Sequence, residues 1–123
     1  MIVFTSRTGN VRYIIGKLKL PSSEISKGLV IHCPYLLFTY TDGLGDVPEK
    51  VMEFLENEEN QSNLKGIIVT GNVNFGDYFC KAGDLICRNF NVPIIRKIDL
   101  RGNDEDVTEI RKQYKIIIEG EEC

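Results

Sequence analysis

Thr5-Ser-Arg-Thr-Gly-Asn-Val11 gathers three short hydrogen-bonding side chains, Ser6, Thr8 and Asn10, around Gly9 and beside Arg7. Gly9 lets the backbone turn its N–H groups toward one point. An amphipathic pattern begins immediately afterwards, so a helix N-terminus adds partial positive charge at that point. Arg7 adds a full charge. These are the requirements of a cradle for a phosphate monoester. A capped helix with a polar lead-in would use the same residues. The run has no Gly-Lys-Ser/Thr and is therefore not a Walker loop; it has no G-x-G-x-x-G, which disfavours a dinucleotide.

Other chemistries find little support. The four cysteines, Cys33, Cys80, Cys87 and Cys123, form no Cys-x-x-Cys pair, and the only histidine, His32, has no second imidazole to share a metal with. Reduced thiols packing as small hydrophobes are expected, with Cys80 and Cys87 two turns apart on one helix face. His32 reads as a structural residue beside a strand. No catalytic triad or carboxylate pair is evident. Asp42, Thr70 and Lys97 offer the phosphoacceptor set of a receiver domain, but such a domain needs an acidic pair after its first strand to hold Mg²⁺. Ser6 and Arg7 occupy that place.

The elements that must position these residues alternate between strand and helix, which predicts an α/β domain with a mostly parallel sheet. Ile2–Thr5 is a short apolar strand of the kind buried on both faces. Asn10–Lys19 carries Val11, Ile14, Ile15 and Leu18 at helical spacing. Pro21-Ser-Ser breaks that helix, and a short strand is expected near Glu24–Ile25. Tyr35–Tyr40 is a third strand. Asp46-Val-Pro48 starts a helix with a cap and an N1 proline, running to about Glu58 and burying Val51, Phe54 and Leu55. Lys65–Thr70 is a fourth strand, and Phe79, Ala82, Gly83, Ile86 and Phe90 form one stripe of the next helix. Pro93–Leu100 is a more polar fifth strand, expected at an edge. Asn103 or Asp104 caps a last helix with Val107, Ile110 and Tyr114 facing inward. The expectation is one domain over residues 1–123, a doubly wound five-stranded parallel sheet of order 2-1-3-4-5. Ligands of such sheets bind beyond the strand carboxyl ends where the order reverses. The Gly/Asn/Thr-rich loops after strands 1, 3 and 4 surround that point.

Bulk properties fit a cytoplasmic globular domain. Of the 123 residues 42% are hydrophobic and 27% charged, and the net charge is −3. No apolar run approaches the roughly 20 residues a membrane span needs. The Met1-Ile-Val-Phe-Thr5 start lacks the basic flank and cleavage site of a signal peptide. Residues 1–23 hold Arg7, Arg12, Lys17 and Lys19 and no acid, whereas residues 101–123 hold seven acids against four bases. An acidic whole without a long basic tract argues against nucleic acid as a partner.

The Ser6-Arg-Thr-Gly-Asn10 run resembles the flavodoxin phosphate loop, Ser/Thr-x-Thr-Gly-x-Thr, with Val11 where that family usually has Thr. The Thr-Gly-Asn-Val version resembles the NrdI family, the flavodoxin-like activators of class Ib ribonucleotide reductase. Two further segments carry the resemblance: Thr39-Tyr-Thr-Asp-Gly-Leu-Gly-Asp-Val-Pro48 and Thr70-Gly-Asn-Val-Asn-Phe-Gly-Asp-Tyr-Phe79. Together the three cover the loops of essentially the whole chain. The resemblance implies a flavodoxin-like fold that holds one FMN non-covalently. It implies cofactor-binding positions at Ser6, Arg7, Thr8, Gly9, Asn10 and Val11 in the first loop. In the second loop they are Thr39, Tyr40, Thr41, Gly43, Leu44 and Gly45. In the third they are Gly71, Asn72, Asn74, Phe75, Gly76, Asp77, Tyr78 and Phe79.

The later loops suit a flavin physically. Gly43 and Gly45 allow a peptide group to approach the ring nitrogen N5, Leu44 can cover one ring face, and Phe75 or Tyr78 can stack on the other. Gly71, Gly76, Asn72 and Asn74 can hydrogen-bond the ring edge. NrdI proteins often have Trp where Phe75 stands. The ring loops hold only Asp42, Asp46 and Asp77, so less negative charge should oppose full reduction than in electron-carrier flavodoxins. The chemistry would belong to the cofactor rather than to a protein residue. The family implies that reduced FMN, supplied by an unidentified reductant, converts O₂ to superoxide or peroxide. That oxidant assembles the dimanganese-tyrosyl radical cofactor of the reductase small subunit. This is the role of an accessory flavoprotein rather than a free-standing enzyme. The alternative is a flavodoxin-type electron carrier.

Overall fold

The computed structural model describes residues 1–43 and 45–120. Leu44 and Cys123 lie outside the described residues. Five strands form one sheet: β1 (Ile2–Phe4), β2 (Ser22–Glu24), β3 (Tyr35–Tyr40), β4 (Leu64–Gly71) and β5 (Ile94–Asp99), in the order β2-β1-β3-β4-β5. Every pairing is parallel. This is the doubly wound order expected from the sequence, with β5 at an edge.

Because successive strand side chains point to opposite faces, the apolar strands feed two cores. On one face Val3, Leu37, Ile67 and Val69 meet Val51, Phe54 and Leu55 of α2 (Glu49–Leu55) and Ala82 and Ile86 of α4 (Lys81–Phe90). On the other, Ile2, Phe4, Leu36, Phe38, Ile68 and Ile98 meet Val11, Ile14 and Leu18 of α1 (Asn10–Leu18) and Ile110 and Tyr114 of α5 (Asp104–Ile117). Of the inward positions expected on the last helix, Val107 packs at the margin of this second core.

Four local readings change. The second strand takes in both serines after Pro21, which the sequence presents as a break. These residues are largely exposed and pair on one side only, with β1, so no alternating apolar pattern marks them. The helix expected to run to about Glu58 ends at Leu55, and a separate α3 (Glu58–Asn63) follows. Asn57 divides them: its side chain accepts from the amides of Glu59 and Asn60. Pro48 is the N-cap of α2, with ψ 140°, rather than its first helical residue. His32 lies in the loop before β3, with an exposed ring whose Nδ1 is 2.8 Å from Glu59 Oε1.

The last helix starts with a full capping box. Asn103 accepts from the Asp106 amide at 2.9 Å, and the Asp106 carboxylate accepts from the Asn103 amide at 2.9 Å. Asp106 also receives Arg96 Nε at 2.8 Å, which raises the guanidinium pKa further above its ordinary value.

Cys80 is buried in the first core and takes a left-handed φ of 54° at the N-cap of α4. Burial pushes its thiol up to about 12, so at neutral pH it is a protonated, small apolar side chain. Cys33 and Cys87 are half-buried. No helix among the described residues is long and apolar enough to cross a membrane.

Candidate functional site

The loops after β1, β3 and β4 meet at the carboxyl edge of the sheet, beside the β1/β3 pair where the strand order reverses. They enclose a cleft of about 330 Å³ lined by Arg7, Thr8 and Asn10 from the first loop, Tyr40, Thr41 and Gly43 from the second, and Thr70, Gly71, Asn72, Phe75 and Tyr78 from the third. Its size is at the lower end of the range of small-molecule sites. Leu100 closes one side. A larger cleft, about 440 Å³, opens between residues 25–30 and α2, lined by Ile25, Leu29, Phe54 and Asn60 among others. It shares no residue with the three loops.

The first loop delivers α1 to the cleft with its N-terminus available. Gly9 is the N-cap, at φ 95°, with no side-chain cap and no acidic residue in the first turn. A Cβ at Gly9 would meet nothing within 4 Å, so the left-handed backbone rather than crowding calls for glycine here. Ser6 Oγ accepts a long 3.4 Å bond from the Arg12 amide. The first-turn N–H groups thus point outward with little competition from the protein, the condition under which a helix end attracts an anion. Arg7 turns elsewhere: its guanidinium bonds the Asp42 carboxylate and lies 5.1 Å from the centroid of the Tyr40 ring.

The second loop is a tight turn on a closed neck. Asp42 and Asp46 form an antiparallel bridge, with Asp42 N donating to Asp46 O at 2.8 Å and Asp46 N to Asp42 O at 2.7 Å. Thr41 ties this neck to the third loop through its amide and hydroxyl, both donating to Thr70 O at 3.1 Å. The third loop is a 3-10 segment, Val73–Tyr78, begun by Asn72, whose side chain accepts from the Asn74 amide at 2.9 Å. Asp99 pins it by accepting from the Val73 amide at 3.0 Å. Phe75 is 53% and Tyr78 41% exposed at the cleft, with Lys81 Nζ 5.3 Å from the centroid of the Tyr78 ring.

The structure does not bring every expected side chain to the cleft. Val11 and Thr39 are buried in the sheet and helix packing. Phe79 packs against the core beneath α4, and Asp77 faces a shallow depression with Lys81 and Asp84. Gly45, Asn74 and Gly76 lie on the flanking loops without lining the cleft. Thr70 and Leu100 also line it, and neither is among the positions the family resemblance implies. Leu100 reads as the last residue of a strand, but the strand stops at Asp99 and Leu100 turns back with φ 54°. The Leu100-Arg-Gly102 turn at the strand's carboxyl end was the available signal. Of the receiver-like trio, Asp42 pairs with Arg7, and Lys97 pairs with Asp84 at 3.0 Å.

A parallel 2-1-3-4-5 sheet with three glycine-bearing loops converging at its switch point defines the flavodoxin-like class. A short-chain flavodoxin associated with a non-canonical PDU bacterial microcompartment superposes with a TM-score of 0.71, covering 97% of this chain and 95% of its own at 21% identity, which is a likeness of fold. The sequence profile described as NrdI flavodoxin-like matches residues 2–112. The NrdI protein of Cronobacter sakazakii is 38% identical over 120 residues, covering 91% of this chain and 90% of the relative. That of Macrococcus caseolyticus is 37% identical over 120 residues, covering 97% and 92%. The chain belongs to the NrdI flavodoxin-like family. Membership implies a flavoprotein linked to ribonucleotide reductase.

Proposed function

We propose that this chain is a cytoplasmic, single-domain accessory protein that binds one FMN and supplies an O₂-derived oxidant to the small, dimanganese, radical-bearing subunit of class Ib ribonucleotide reductase. The observation that carries the reading is the convergence of three chemically different loops on one cleft. An open helix N-terminus stands beside it, Gly43 of the bridged second loop lines it, and two exposed aromatic rings border it. A mononucleotide flavin has a matching division into phosphate, ring edge and ring face.

The residues divide the work accordingly. The N–H groups around Gly9 and Asn10, with Thr8, hold the phosphate as hydrogen-bond donors to an anion. Gly43 and Gly45, with φ 45° and 100°, keep the second turn narrow enough for its peptide groups to reach a ring edge. Phe75 and Tyr78 offer flat apolar surface. Asp42 brings a carboxylate close to the ring end, but Arg7 offsets its charge locally, so the surroundings oppose addition of negative charge less than an unpaired acid would. When bound, FMN would supply two-electron redox chemistry: two electrons from a separate reductant would yield one peroxide from one O₂, or two superoxides from two O₂. The Asp42–Asp46 bridge keeps the second loop short, which suits access by oxygen and by a docking partner.

The test is reconstitution. Protein loaded with FMN and reduced without air is mixed with the manganese(II)-loaded small subunit and then exposed to O₂. A tyrosyl radical seen by electron paramagnetic resonance, absent when the protein is omitted, is the expected result. Absence of the radical, together with efficient electron delivery to a flavodoxin client, would replace the proposal with a carrier role.

A further inference from the structure

Arg7 belongs by sequence to the phosphate-side loop, yet its contacts lie on the other side of the cleft. Its guanidinium bonds Asp42 Oδ1 and rests over Tyr40 at the end of β3. The same Oδ1 accepts from the Gly43 amide at 3.0 Å. Asp42 is also the neck of the ring-side turn, since its carbonyl accepts from the amides of Gly45 at 3.1 Å and Asp46 at 2.7 Å. One carboxylate therefore joins the first loop to the first peptide of the glycine turn. The pair is partly exposed, with side chains 56% and 37% accessible, and belongs to neither core. With Asp42 against it, much of the arginine's charge is already matched, and the first turn of α1 is left to attract a phosphate.

Resting on the FMN reading above, we propose that Arg7 is a positioning residue for the isoalloxazine end of the flavin: the Arg7–Asp42 pair straps the Asp42-Gly43 peptide, which lines the cleft, to the first loop, and Arg7 is not the phosphate's ligand.

Riboflavin, which lacks the phosphate, separates the two roles. The unaltered chain, Arg7→Gln, Asp42→Asn and the double variant are titrated with FMN and with riboflavin by flavin fluorescence at one ionic strength. Partly exposed ion pairs contribute modestly, so each single variant should weaken both flavins alike, by about two- to fivefold. The double variant should be no weaker than the weaker single, and the ratio of FMN to riboflavin affinity should stay constant. A loss of about tenfold or more for FMN alone in Arg7→Gln, with riboflavin unchanged, would make Arg7 a phosphate ligand and overturn the proposal.

The midpoint potential of the bound flavin gives a second readout that a purely structural role would not move in this way. Asp42→Asn leaves a positive charge uncompensated beside the ring and should raise the potential. Arg7→Gln leaves a negative one and should lower it. Shifts of the same sign, or none, overturn the strap's placement. Failure of the unaltered chain to bind either flavin would overturn the FMN reading, and the strap with it.

Discussion

Asn60→Ala is expected to lower the unfolding free energy by about 3 kcal/mol, measured by urea denaturation of the flavin-free protein. Asn60 is fully buried, and its side chain serves three backbone groups from two segments. Oδ1 accepts from the Ile31 amide at 2.8 Å, while Nδ2 donates to Leu29 O at 3.0 Å and Phe54 O at 2.9 Å. Alanine leaves all three without that partner. An unsatisfied buried polar group costs about 1–3 kcal/mol, and water entering from the neighbouring 440 Å³ cleft, which Asn60 lines, reduces the sum. The segment held in this way, residues 25–34, joins β2 to β3 with no helix of its own. Asn60 thus replaces with hydrogen bonds what a connecting helix would supply by packing. The backbone carbonyl of Asn60 also accepts from the Tyr35 hydroxyl, and burial raises the pKa of that phenol. Tyr35 therefore enters the core neutral and satisfied. A loss below about 1 kcal/mol would show that the loop is held by its apolar contacts alone.

Gly71→Ala is expected to damage the site more than any loop-tip substitution. Gly71 ends β4, where the backbone of the third loop returns against it. A Cβ there would sit 2.9 Å from the Cys80 amide nitrogen, 3.2 Å from Cys80 Sγ and 3.3 Å from Phe79 Cδ1. The nearest obstacle is main chain, which cannot swing away as a side-chain tip could. The Gly71 carbonyl accepts from the Leu100 amide at 2.8 Å, so the strand end is held on its other side as well. Inserting even one methyl group should cost about 1–3 kcal/mol through strain. It should also push residues 72–80 outward, displacing Asn72, Phe75 and Tyr78 from the cleft. FMN affinity is expected to fall more than about tenfold, equivalent to about 1.4 kcal/mol or more of binding free energy. Unchanged affinity in a folded Gly71→Ala protein would mean that the third loop does not contact the ligand.

What the sequence made legible follows from where physical signals are local. The buried strands β1, β3 and β4 are continuous apolar runs, and helices α1 and α5 have clear periodicity, with Asn103 as a cap for α5. Each of these elements states its own environment in a few consecutive residues. Glycine and asparagine placed directly after those strands marked the loops that meet at the cleft. β2 was less legible because an exposed edge strand of Ser22, Ser23 and Glu24 depends on its neighbour's backbone rather than on its own side chains. The division between α2 and α3 depends on Asn57 acting as a cap, and many asparagines sit in loops without doing so. Longer-range arrangements left the least trace. Asn60 bonds residues 29 and 31 positions away and stands in sequence among polar residues between an expected helix and the fourth strand. Arg7 reads as part of an anion loop, and only the folded proximity of Asp42 and Tyr40 redirects it. Leu100 joins the cleft because the chain reverses after β5, a turn that strand propensity alone does not reveal.

The charge pattern has a similar two-level reading. The N-terminal stretch without acids looks like an exposed basic face, yet Arg12 pairs with Glu24 at 2.7 Å and Arg7 with Asp42. Lys17 and Arg101 instead lie 5.5 Å and 5.2 Å from the centroid of the Tyr13 ring. The helix N-terminus beside Gly9 thus keeps its partial positive charge, without an acid in its first turn to weaken it.

Amide hydrogen exchange of the chain with and without one equivalent of FMN measures the shared claim most directly. Protection should rise together in residues 6–11, 40–43 and 71–78, with a single equivalent sufficient to saturate all three segments. Protection confined to one segment, or no change under saturating FMN, would contradict a flavin held jointly by the three loops.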